Sequence, residues 1–149
     1  MQKKATVRTA LDGDFSRVMA LYRILEGAYQ AHNGEVPDYR LLWWQTLADK
    51  QQHLLVAEID GRVVGTATVI IVPNLGHHGR PWAAVENVVV EPDHRKGGVG
   101  AELMKEAYLI ARSNRCYKLV LTSNLSRKDA HDFYLGLGWR QSHVGFSLD

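Results

Sequence analysis

Apolar residues recur at helical spacing in several stretches of the chain, and each stretch predicts a helix with one buried side. The first helix follows Asp12, a residue suited to capping a helix N-terminus, and ends near Gly27. The second runs from Asp38 to about Asp49, and its apolar side is so wide that it either packs deeply or borders a ligand site. The apolar positions are Phe15, Val18, Met19, Tyr22 and Leu25 in the first helix, Leu41, Leu42, Trp43, Trp44 and Leu47 in the second, and Val99, Leu103, Ala107 and Ile110 in a third. A fourth helix is predicted over about residues 126–135.

Runs rich in β-branched residues predict strands between these helices. Two of them, 53–59 and 62–72, flank Asp60-Gly61 and therefore predict a hairpin with a tight turn. The run 85–90 is so apolar that we expect a strand buried on both faces. The other candidate strands are residues 5–8, residues 117–121 and a final strand pair within 139–148, and the loops are residues 26–38 and 73–81.

The segment 85–113 combines a strand, a basic glycine-rich turn and a helix. Pro92 ends the strand because proline cannot donate a hydrogen bond to a sheet ladder. The turn Arg95-Lys-Gly-Gly-Val-Gly100 then opens the third helix, where unpaired N–H groups and the helix dipole favour an anion. Glycines let that anion approach the backbone, and Arg95 and Lys96 add positive charge. The turn therefore predicts a phosphate-binding loop, or else a helix start without a ligand.

Two common nucleotide-binding loops do not fit this turn. The dinucleotide pattern needs a third glycine where Leu103 stands, and the nucleoside-triphosphate loop needs a Gly-Lys-Ser/Thr triplet that the chain lacks. These two mismatches argue against a regulator that binds ATP or NAD.

The pattern Arg-x-x-Gly-x-Gly after a strand resembles the acyl-CoA pyrophosphate loop of the GNAT acetyltransferase superfamily. A second segment, Asp132-Phe-Tyr-Leu-Gly-Leu-Gly-Trp139, is similar to the Phe-Tyr-x-x-x-Gly-Phe segment of that family, with Trp139 in place of the usual phenylalanine. The two segments stand in the family's order and separation and cover the C-terminal half. The N-terminal half agrees with the family in element order only.

The element order and this resemblance together imply an α/β fold, with one GNAT-like domain over residues 1–149. We expect a mixed, mostly antiparallel central sheet with a parallel β-α-β step at the acetyl-CoA loop and helices on both faces. The strands before and after the third helix must part at their carboxyl ends to admit the pantetheine arm, because ligands of parallel α/β units bind at that end.

The resemblance also implies a role for individual residues. Glu86 would accept the ammonium proton of the acceptor, through a water, and Tyr134 would protonate the thiolate that leaves. Backbone amides of Val88, Val89 and Val90 would hold the acetyl group. The residues implied in cofactor binding are Val88, Val89, Val90, Arg95, Lys96, Gly97, Gly98, Val99, Gly100, Ala101, Asn124 and His131, and Arg127 and Lys128 could also approach the phosphates.

Each of these side chains also has a structural interpretation. Glu86 could form a salt bridge at the edge of the sheet, and Tyr134 could be a core aromatic residue. Asn124 could cap a helix or a turn, for which asparagine is well suited. The basic residues of the fourth helix could form a solvated face.

The composition is ordinary for one globular domain, with 149 residues of which 46% are apolar and 23% are charged. A net charge of +2 without a basic block gives no reason to expect nucleic acid as a partner. No apolar stretch approaches about 20 residues and the N-terminus lacks the core of a signal peptide, so we expect no membrane partner. Cys116 is the one cysteine of the sequence, and we interpret it as structural. A single cysteine cannot form a disulfide within the chain, which fits a reducing compartment, so we expect a cytoplasmic protein.

Two further groups of side chains could border the acceptor pocket. His77 and His78 lie in the loop 73–81 without cysteine or carboxylate at ligand spacing, so we expect no metal site. Tyr39, Trp43 and Trp44 could line the pocket as well, but their helical spacing favours core packing.

The sequence therefore predicts an acetyl-CoA-dependent N-acetyltransferase that transfers an acetyl group directly to the primary amine of a small molecule, of the amino sugar, aminophosphonate or polyamine type. Two segments that begin at Asp129 and Gln141 resemble the tail of aminoalkylphosphonate acetyltransferases, although they fall mostly on the cofactor side. A protein or peptide N-acetyltransferase and a non-catalytic acyl-CoA sensor remain open alternatives. By resemblance we also expect a homodimer that pairs through the final strands.

Overall fold

The computed structural model describes residues 3–26 and 36–148 of the chain. The predicted end of the first helix at Gly27 and most of the predicted loop 26–38 lie outside the described residues. In chain order the elements are β1 (Thr6–Thr9), α1 (Phe15–Glu26), α2 (Tyr39–Ala48), β2 (Gln52–Ile59), β3 (Arg62–Val72), α3 (Gly76–Gly79), β4 (Trp82–Val90), α4 (Val99–Ser113), β5 (Leu119–Val120) and α5 (Lys128–Gly136), with 3-10 turns at Asp12–Asp14 and Pro92–His94.

The strands form one five-stranded sheet in the order β1-β2-β3-β4-β5. The first four strands pair antiparallel, and β5 pairs parallel to β4 after the chain has passed through α4. Asp60 and Gly61 both have a positive φ at the tight turn between β2 and β3, as the dipeptide predicts. The predicted hairpin and the predicted parallel step are confirmed.

The strands bury side chains on both faces of the sheet, since successive residues of a strand point to opposite sides. In β2, Leu55 and Ala57 belong to one apolar cluster, and Leu54 and Val56 belong to another. The buried helix residues of the first cluster are Val99, Leu103, Met104, Ala107 and Ala111 of α4, and those of the second are Val18 and Leu21 of α1 and Trp43 of α2. The predicted α/β fold, with a mixed and mostly antiparallel sheet and helices on both faces, is confirmed.

Two groups of charged side chains attach α1 to the sheet. Arg8 of β1 donates hydrogen bonds to Asp14 and Glu58, with its shortest contact of 2.7 Å to an Asp14 carboxylate oxygen. Arg17 of α1 donates to the Val63 carbonyl oxygen at 2.8 Å and to Glu91 at 3.1 Å. Since Glu91 directly follows β4, the second group also anchors the chain where it leaves the sheet towards the glycine-rich turn.

Three helix predictions were partly wrong. Asp12 does not cap α1: the carboxylate of Asp14 accepts the Leu11 N–H at 2.8 Å, while Asp12 accepts the indole N–H of Trp44 at 3.0 Å. Trp44 and Tyr39 are exposed, and Trp43 alone of the three aromatic residues is in the core, where it packs edge-on against Phe15. α5 begins at Lys128 instead of residue 126, because a turn around Asn124 precedes it.

The predicted final strand pair is also wrong. Within the described residues, 139–148 contain no strand, although the side chains of Val144, Phe146 and Leu148 alternate along them and are exposed. A strand needs a neighbour to satisfy its backbone groups, and no strand among the described residues pairs with this segment. The described residues include no helix that is both long and apolar enough to span a membrane.

Candidate active site

A β-bulge interrupts the pairing of β3 with β4. Thr66 is opposite Val89 and Thr68 is opposite Glu86, so that Asn87 and Val88 share the single partner Ala67. Asn87 has a φ of 53°, a left-handed conformation that asparagine tolerates better than most residues. A bulge leaves one residue without ladder partners, so backbone N–H groups become available at this point of β4.

β4 and β5 part directly beside this bulge. Their pairing covers only Ala83 with Leu119 and Ala84 with Val120, while β4 itself continues to Val90. The predicted opening at the carboxyl ends of the two parallel strands is therefore present. The prediction that β4 is buried on both faces beyond Val85 is wrong, because Glu86 and Asn87 are exposed where the neighbouring strand has ended.

The glycine-rich turn lies at the carboxyl end of β4. Arg95 is exposed, and its Nε donates to the Val90 carbonyl oxygen at 3.1 Å, which holds the guanidinium over the strand end. Lys96 is exposed with a φ of 61°, and Gly98 has a φ of 83° as the residue that precedes α4. A Cβ atom on Gly98 would meet nothing within 4 Å, so the backbone here faces open space.

The start of α4 is packed on one side and free on the other. Val99 is buried in the core, and Gly97, Gly100 and Ala101 are half-buried. A Cβ atom on Gly100 would lie 2.9 Å from the ring of Phe133, so glycine at this position lets α5 approach α4 closely. The first N–H groups of a helix have no partner within it, and here they follow two exposed cations. An anion could accept those hydrogen bonds.

The three valines at the end of β4 divide between the two faces of the sheet. Val88 and Val90 are half-buried against the α4 side, and Val89 is buried against the α1 and α2 side. Their side chains therefore belong to the core, and only their backbone groups can face a ligand.

Asn124 and His131 lie together at the approach to α5. The Asn124 side-chain oxygen accepts from the Ser126 N–H at 2.9 Å and from the Ser126 hydroxyl at 2.8 Å. The Asn124 carbonyl oxygen is 3.0 Å from Nε2 of His131 and also accepts the Arg127 N–H. Asn124 thus acts as a turn cap, as its structural interpretation anticipates, and its amide nitrogen remains for a ligand.

Tyr134 is a half-buried residue of α5 that packs against the core cluster under α4. Its ring lies 5.1 Å from that of Phe133 and 5.9 Å from that of Trp139, so the two aromatic residues of the motif fix its position. Burial raises the pKa of Tyr134, and the charge of Arg127 only partly opposes this. The phenol is accordingly protonated at neutral pH and can act as a proton donor.

Glu86 is exposed on a central strand, next to the bulge and beyond the last residue that pairs with β5. The ion pairs within the described part of the chain do not include it. The salt bridge at a sheet edge that we considered for Glu86 is therefore not present among these residues. The carboxylate is accessible to a water or an amine.

Sequence reasoning placed Tyr22 on the core face of α1 and gave it no other role. In the structure Tyr22 is half-buried and packs against the apolar cluster between α1, α2 and the sheet, as its spacing predicts. Burial raises the pKa of Tyr22.

The remaining candidates take no part in this opening. His77 stacks on Tyr117 with ring centroids 3.9 Å apart, and both His77 and His78 have a left-handed backbone in the short α3 turn. Burial raises the pKa of the Cys116 thiol, with a smaller opposite effect from Arg80, which makes it a poor nucleophile at neutral pH.

The profile of the GNAT acetyltransferase family matches residues 18–139, which is most of the chain. The chain belongs to this family. Two relatives have related names: a glucosamine 6-phosphate N-acetyltransferase of Trypanosoma brucei brucei is 37% identical over 89 residues, and an aminoalkylphosphonate N-acetyltransferase of Salmonella typhimurium strain LT2 is 34% identical over 101 residues. The matches cover 60% and 68% of this chain but only 58% and 65% of those relatives.

Solved structures agree with the family assignment. A candidate acetyltransferase from Agrobacterium tumefaciens str. C58 superimposes with a TM-score of 0.88 at 30% identity, over 97% of this chain and 99% of the other. The α/β fold is therefore the GNAT fold.

Proposed function

We propose that this protein is an acetyl-CoA-dependent N-acetyltransferase that acetylates the primary amine of a small molecule. The observation that carries the proposal is the opening between β4 and β5, which begins beside an exposed carboxylate and a bulge and ends at a basic, glycine-rich helix start. A long, narrow substrate with an anionic end fits an opening of this form. The membership of the GNAT family and the two N-acetyltransferase relatives support the same function.

The turn before α4 fits the pyrophosphate of acetyl-CoA. Gly98 is left-handed and leaves open space where a side chain would stand, and Arg95 and Lys96 are exposed beside it. The N–H groups of Val99, Gly100 and Ala101 belong to the first turn of α4 and can donate to phosphate oxygens. Val88, Val89 and Val90 would offer backbone N–H groups to the acetyl carbonyl, and Asn124 and His131 would flank the pantetheine arm.

Two side chains would transfer protons. Glu86 accepts a proton from the acceptor ammonium, through a water, so that the amine nitrogen can attack the thioester carbonyl carbon. Backbone N–H groups at the bulge stabilise the oxyanion that forms. When the C–S bond breaks, Tyr134 donates its phenolic proton to the sulfur. The nitrogen then releases its second proton to the Tyr134 phenolate, which restores the phenol, and the acetyl group remains on nitrogen as an amide.

We further propose that the acceptor is an amino sugar, an aminophosphonate or a polyamine. The two relatives, whose names specify an amino sugar phosphate and an aminoalkylphosphonate, support the first two types. We propose a cytoplasmic location because Cys116, the single cysteine, suits a reducing compartment. We also propose a homodimer, because a second copy could cover the exposed apolar side chains of the segment 139–148.

The first experiment is a calorimetric titration of the full chain with acetyl-CoA, followed by a thiol-release assay over amino sugars, aminophosphonates, polyamines and peptides. We expect micromolar binding and turnover with one class of small amine. Binding without turnover on any amine would contradict the enzyme and favour an acyl-CoA sensor, whereas turnover on peptides alone would contradict the small-molecule acceptor. Absence of binding would remove the cofactor assignment altogether.

Two variants test the proton-transfer roles. Tyr134→Phe keeps the aromatic packing and should lose most of kcat while acetyl-CoA still binds, because the proton donor alone is removed. Glu86→Gln should lower kcat/KM and change the acidic limb of its pH profile, because a general base acts only when deprotonated. Tyr108→Phe, on the exposed side of α4, is the matched control and should behave as wild type. Full activity of the Tyr134 variant would refute the acid role, and an unchanged acidic limb in the Glu86 variant would refute the base role.

A further inference from the structure

One carboxylate connects three parts of the fold just before the glycine-rich turn. Oε1 of Glu91 accepts hydrogen bonds from Arg62, the first residue of β3, at 2.8 Å and from Arg17 of α1 at 3.1 Å. Nδ1 of His94 lies 3.2 Å from Oε2, although these two atoms do not form a hydrogen bond. The Glu91 side chain is only 17% exposed, so little water competes for its oxygens. Its contacts therefore come from the sheet, from a helix on one face of the sheet and from the chain that leads into the turn.

The backbone of Glu91 is fixed at the same point. Its N–H donates to the Val64 carbonyl oxygen of β3 at 2.8 Å, and its own carbonyl oxygen accepts the His94 N–H at 2.9 Å. The second bond closes the 3-10 turn that begins at Pro92 and leads directly into Arg95. The N–H of Arg95 then donates to the Pro92 carbonyl oxygen at 3.2 Å. The path from the end of β4 to the first cation of the glycine-rich turn is thus determined by contacts that start at Glu91.

The Glu91 carboxylate is charged at neutral pH. Burial alone would raise the pKa of Glu91, but the hydrogen bond from Arg17 and the positive charges around the carboxylate lower it below its ordinary value. A negative charge that precedes Arg95 and Lys96 so closely in the chain is unfavourable for an anion bound at the turn. Any favourable effect of Glu91 on anion binding must therefore come from the geometry of the turn.

We propose that Glu91 is a positioning residue for acetyl-CoA binding, which fixes the end of β4 to Arg17 and Arg62 and so sets the direction in which the glycine-rich turn leaves the sheet. This proposal rests on the proposed function, since that turn is the part of the chain to which we assign the pyrophosphate. The oxygens of Glu91 face the two arginines and His94, so Glu91 acts through the turn and not by contact with the cofactor. Loss of the carboxylate should release the turn, while the reacting groups beside the bulge keep their places.

Substitution of Glu91 tests the proposal because charge and geometry predict opposite results. Glu91→Ala removes a negative charge near the turn, so an effect of charge alone would tighten acetyl-CoA binding. Loss of the positioning should instead raise both the calorimetric Kd and the KM for acetyl-CoA about tenfold, with kcat changed less than about twofold. Glu91→Gln keeps an oxygen that can accept from the arginines, so its Kd should lie between those of wild type and Glu91→Ala.

Glu58→Ala is the matched control. Glu58 of β2 is also partly buried and accepts from an arginine, Arg8, at 2.9 Å, but its hydrogen bonds within the described residues are to Arg8 alone. The control removes the same charge and also one arginine contact, so it should lower the free energy of unfolding without raising the Kd. A merely structural role of Glu91 would lower stability and leave the Kd unchanged in the same way. An unchanged or lower Kd in both Glu91 variants, or an equal rise in Glu58→Ala, would overturn the proposal.

A further readout does not depend on the cofactor. The amides of His94 and Arg95 are hydrogen-bonded within the 3-10 turn, so they should exchange with solvent faster in Glu91→Ala than in wild type and at the wild-type rate in Glu58→Ala. If exchange is faster in Glu91→Ala but the wild-type protein does not bind acetyl-CoA, the restraint is supported and the proposed function is wrong. If exchange in the turn is unchanged in Glu91→Ala, the restraint is absent and this inference is wrong, whether or not acetyl-CoA binds.

Discussion

Gly65 offers a sharp test of how the start of α4 is seated on the sheet. A Cβ atom at this position of β3 would lie 3.0 Å from Cγ1 of Val99, 3.3 Å from Cδ1 of Leu103 and 3.3 Å from the carbonyl oxygen of Val89. Val99 and Leu103 are almost fully buried, and the Val89 oxygen is backbone, so none of the three can move away freely. Glycine is therefore required here by space and not by conformation.

The expected cost of Gly65→Ala follows from two opposing effects. Adding one methyl group to a close-packed site costs about 1–3 kcal/mol, while replacing glycine in a strand returns about 0.5–1 kcal/mol of unfolded-state entropy. We expect a net loss of about 1–2 kcal/mol in the free energy of unfolding, or about 3–6 °C in Tm at this chain length. Urea denaturation followed by circular dichroism measures it directly.

Gly13→Ala is the matched control, since a Cβ atom there would meet nothing within 4 Å and Gly13 is exposed. Its stability should equal or slightly exceed that of the wild type. Val99 is the first residue of α4, and the new methyl group of Gly65→Ala pushes on its side chain. This variant should therefore also bind acetyl-CoA more weakly than the wild type. If the Gly65 and Gly13 variants proved equally stable, the packing argument would be refuted.

Three further outcomes are expected. Leu103→Ala, at the fully buried centre of α4, should lower the free energy of unfolding by about 2–5 kcal/mol in urea titrations. The hydrogen bond from Arg8 lowers the pKa of Asp14, so its stabilisation is complete above the ordinary aspartate pKa of about 3.9 and is lost as the pH falls further. Asp14→Asn should therefore be less stable than wild type at pH 7, and the difference in the free energy of unfolding should shrink as the pH falls below about 3.9. Gly98→Ala should weaken acetyl-CoA binding more than Gly98→Asn, since asparagine tolerates a left-handed φ of 83°; equal affinities by calorimetry would contradict this.

The sequence was sufficient to predict those elements whose local residue pattern agrees with their burial in the structure. The Asp60-Gly61 turn, the apolar side of α4 and the break at Pro92 all follow from rules that act within a few residues. The parallel pair follows from α4, since a strand–helix–strand connection that returns to the neighbouring position of one sheet favours parallel strands. The proposed phosphate-binding role of the glycine-rich turn rests on the same kind of local pattern.

The missed features depend on contacts between distant segments. The bulge at Asn87 requires β3 and β4 to pair out of register, and neither strand shows this alone. The exposure of Trp44 follows from its hydrogen bond to Asp12, which lies 32 positions away. Apolar and polar residues alternate in the segment 139–148 as they do in a strand. The segment pairs with no strand among the described residues, and the alternation alone cannot show whether a neighbouring strand exists.

The short pairing of β5 determines where the sheet opens first. β3 is bonded to a strand on both sides along most of its length, so its amides should exchange with solvent only when the whole protein unfolds. Leu119 and Val120 are attached to β4 at two positions and can separate from it locally, at a far smaller free energy. Hydrogen exchange should therefore be slow in β3 and fast in β5, and a molecule that spans the opening would slow exchange in β5 without changing β3. The opening between β4 and β5, where we propose that acetyl-CoA binds, is therefore expected to be the least stable part of the sheet.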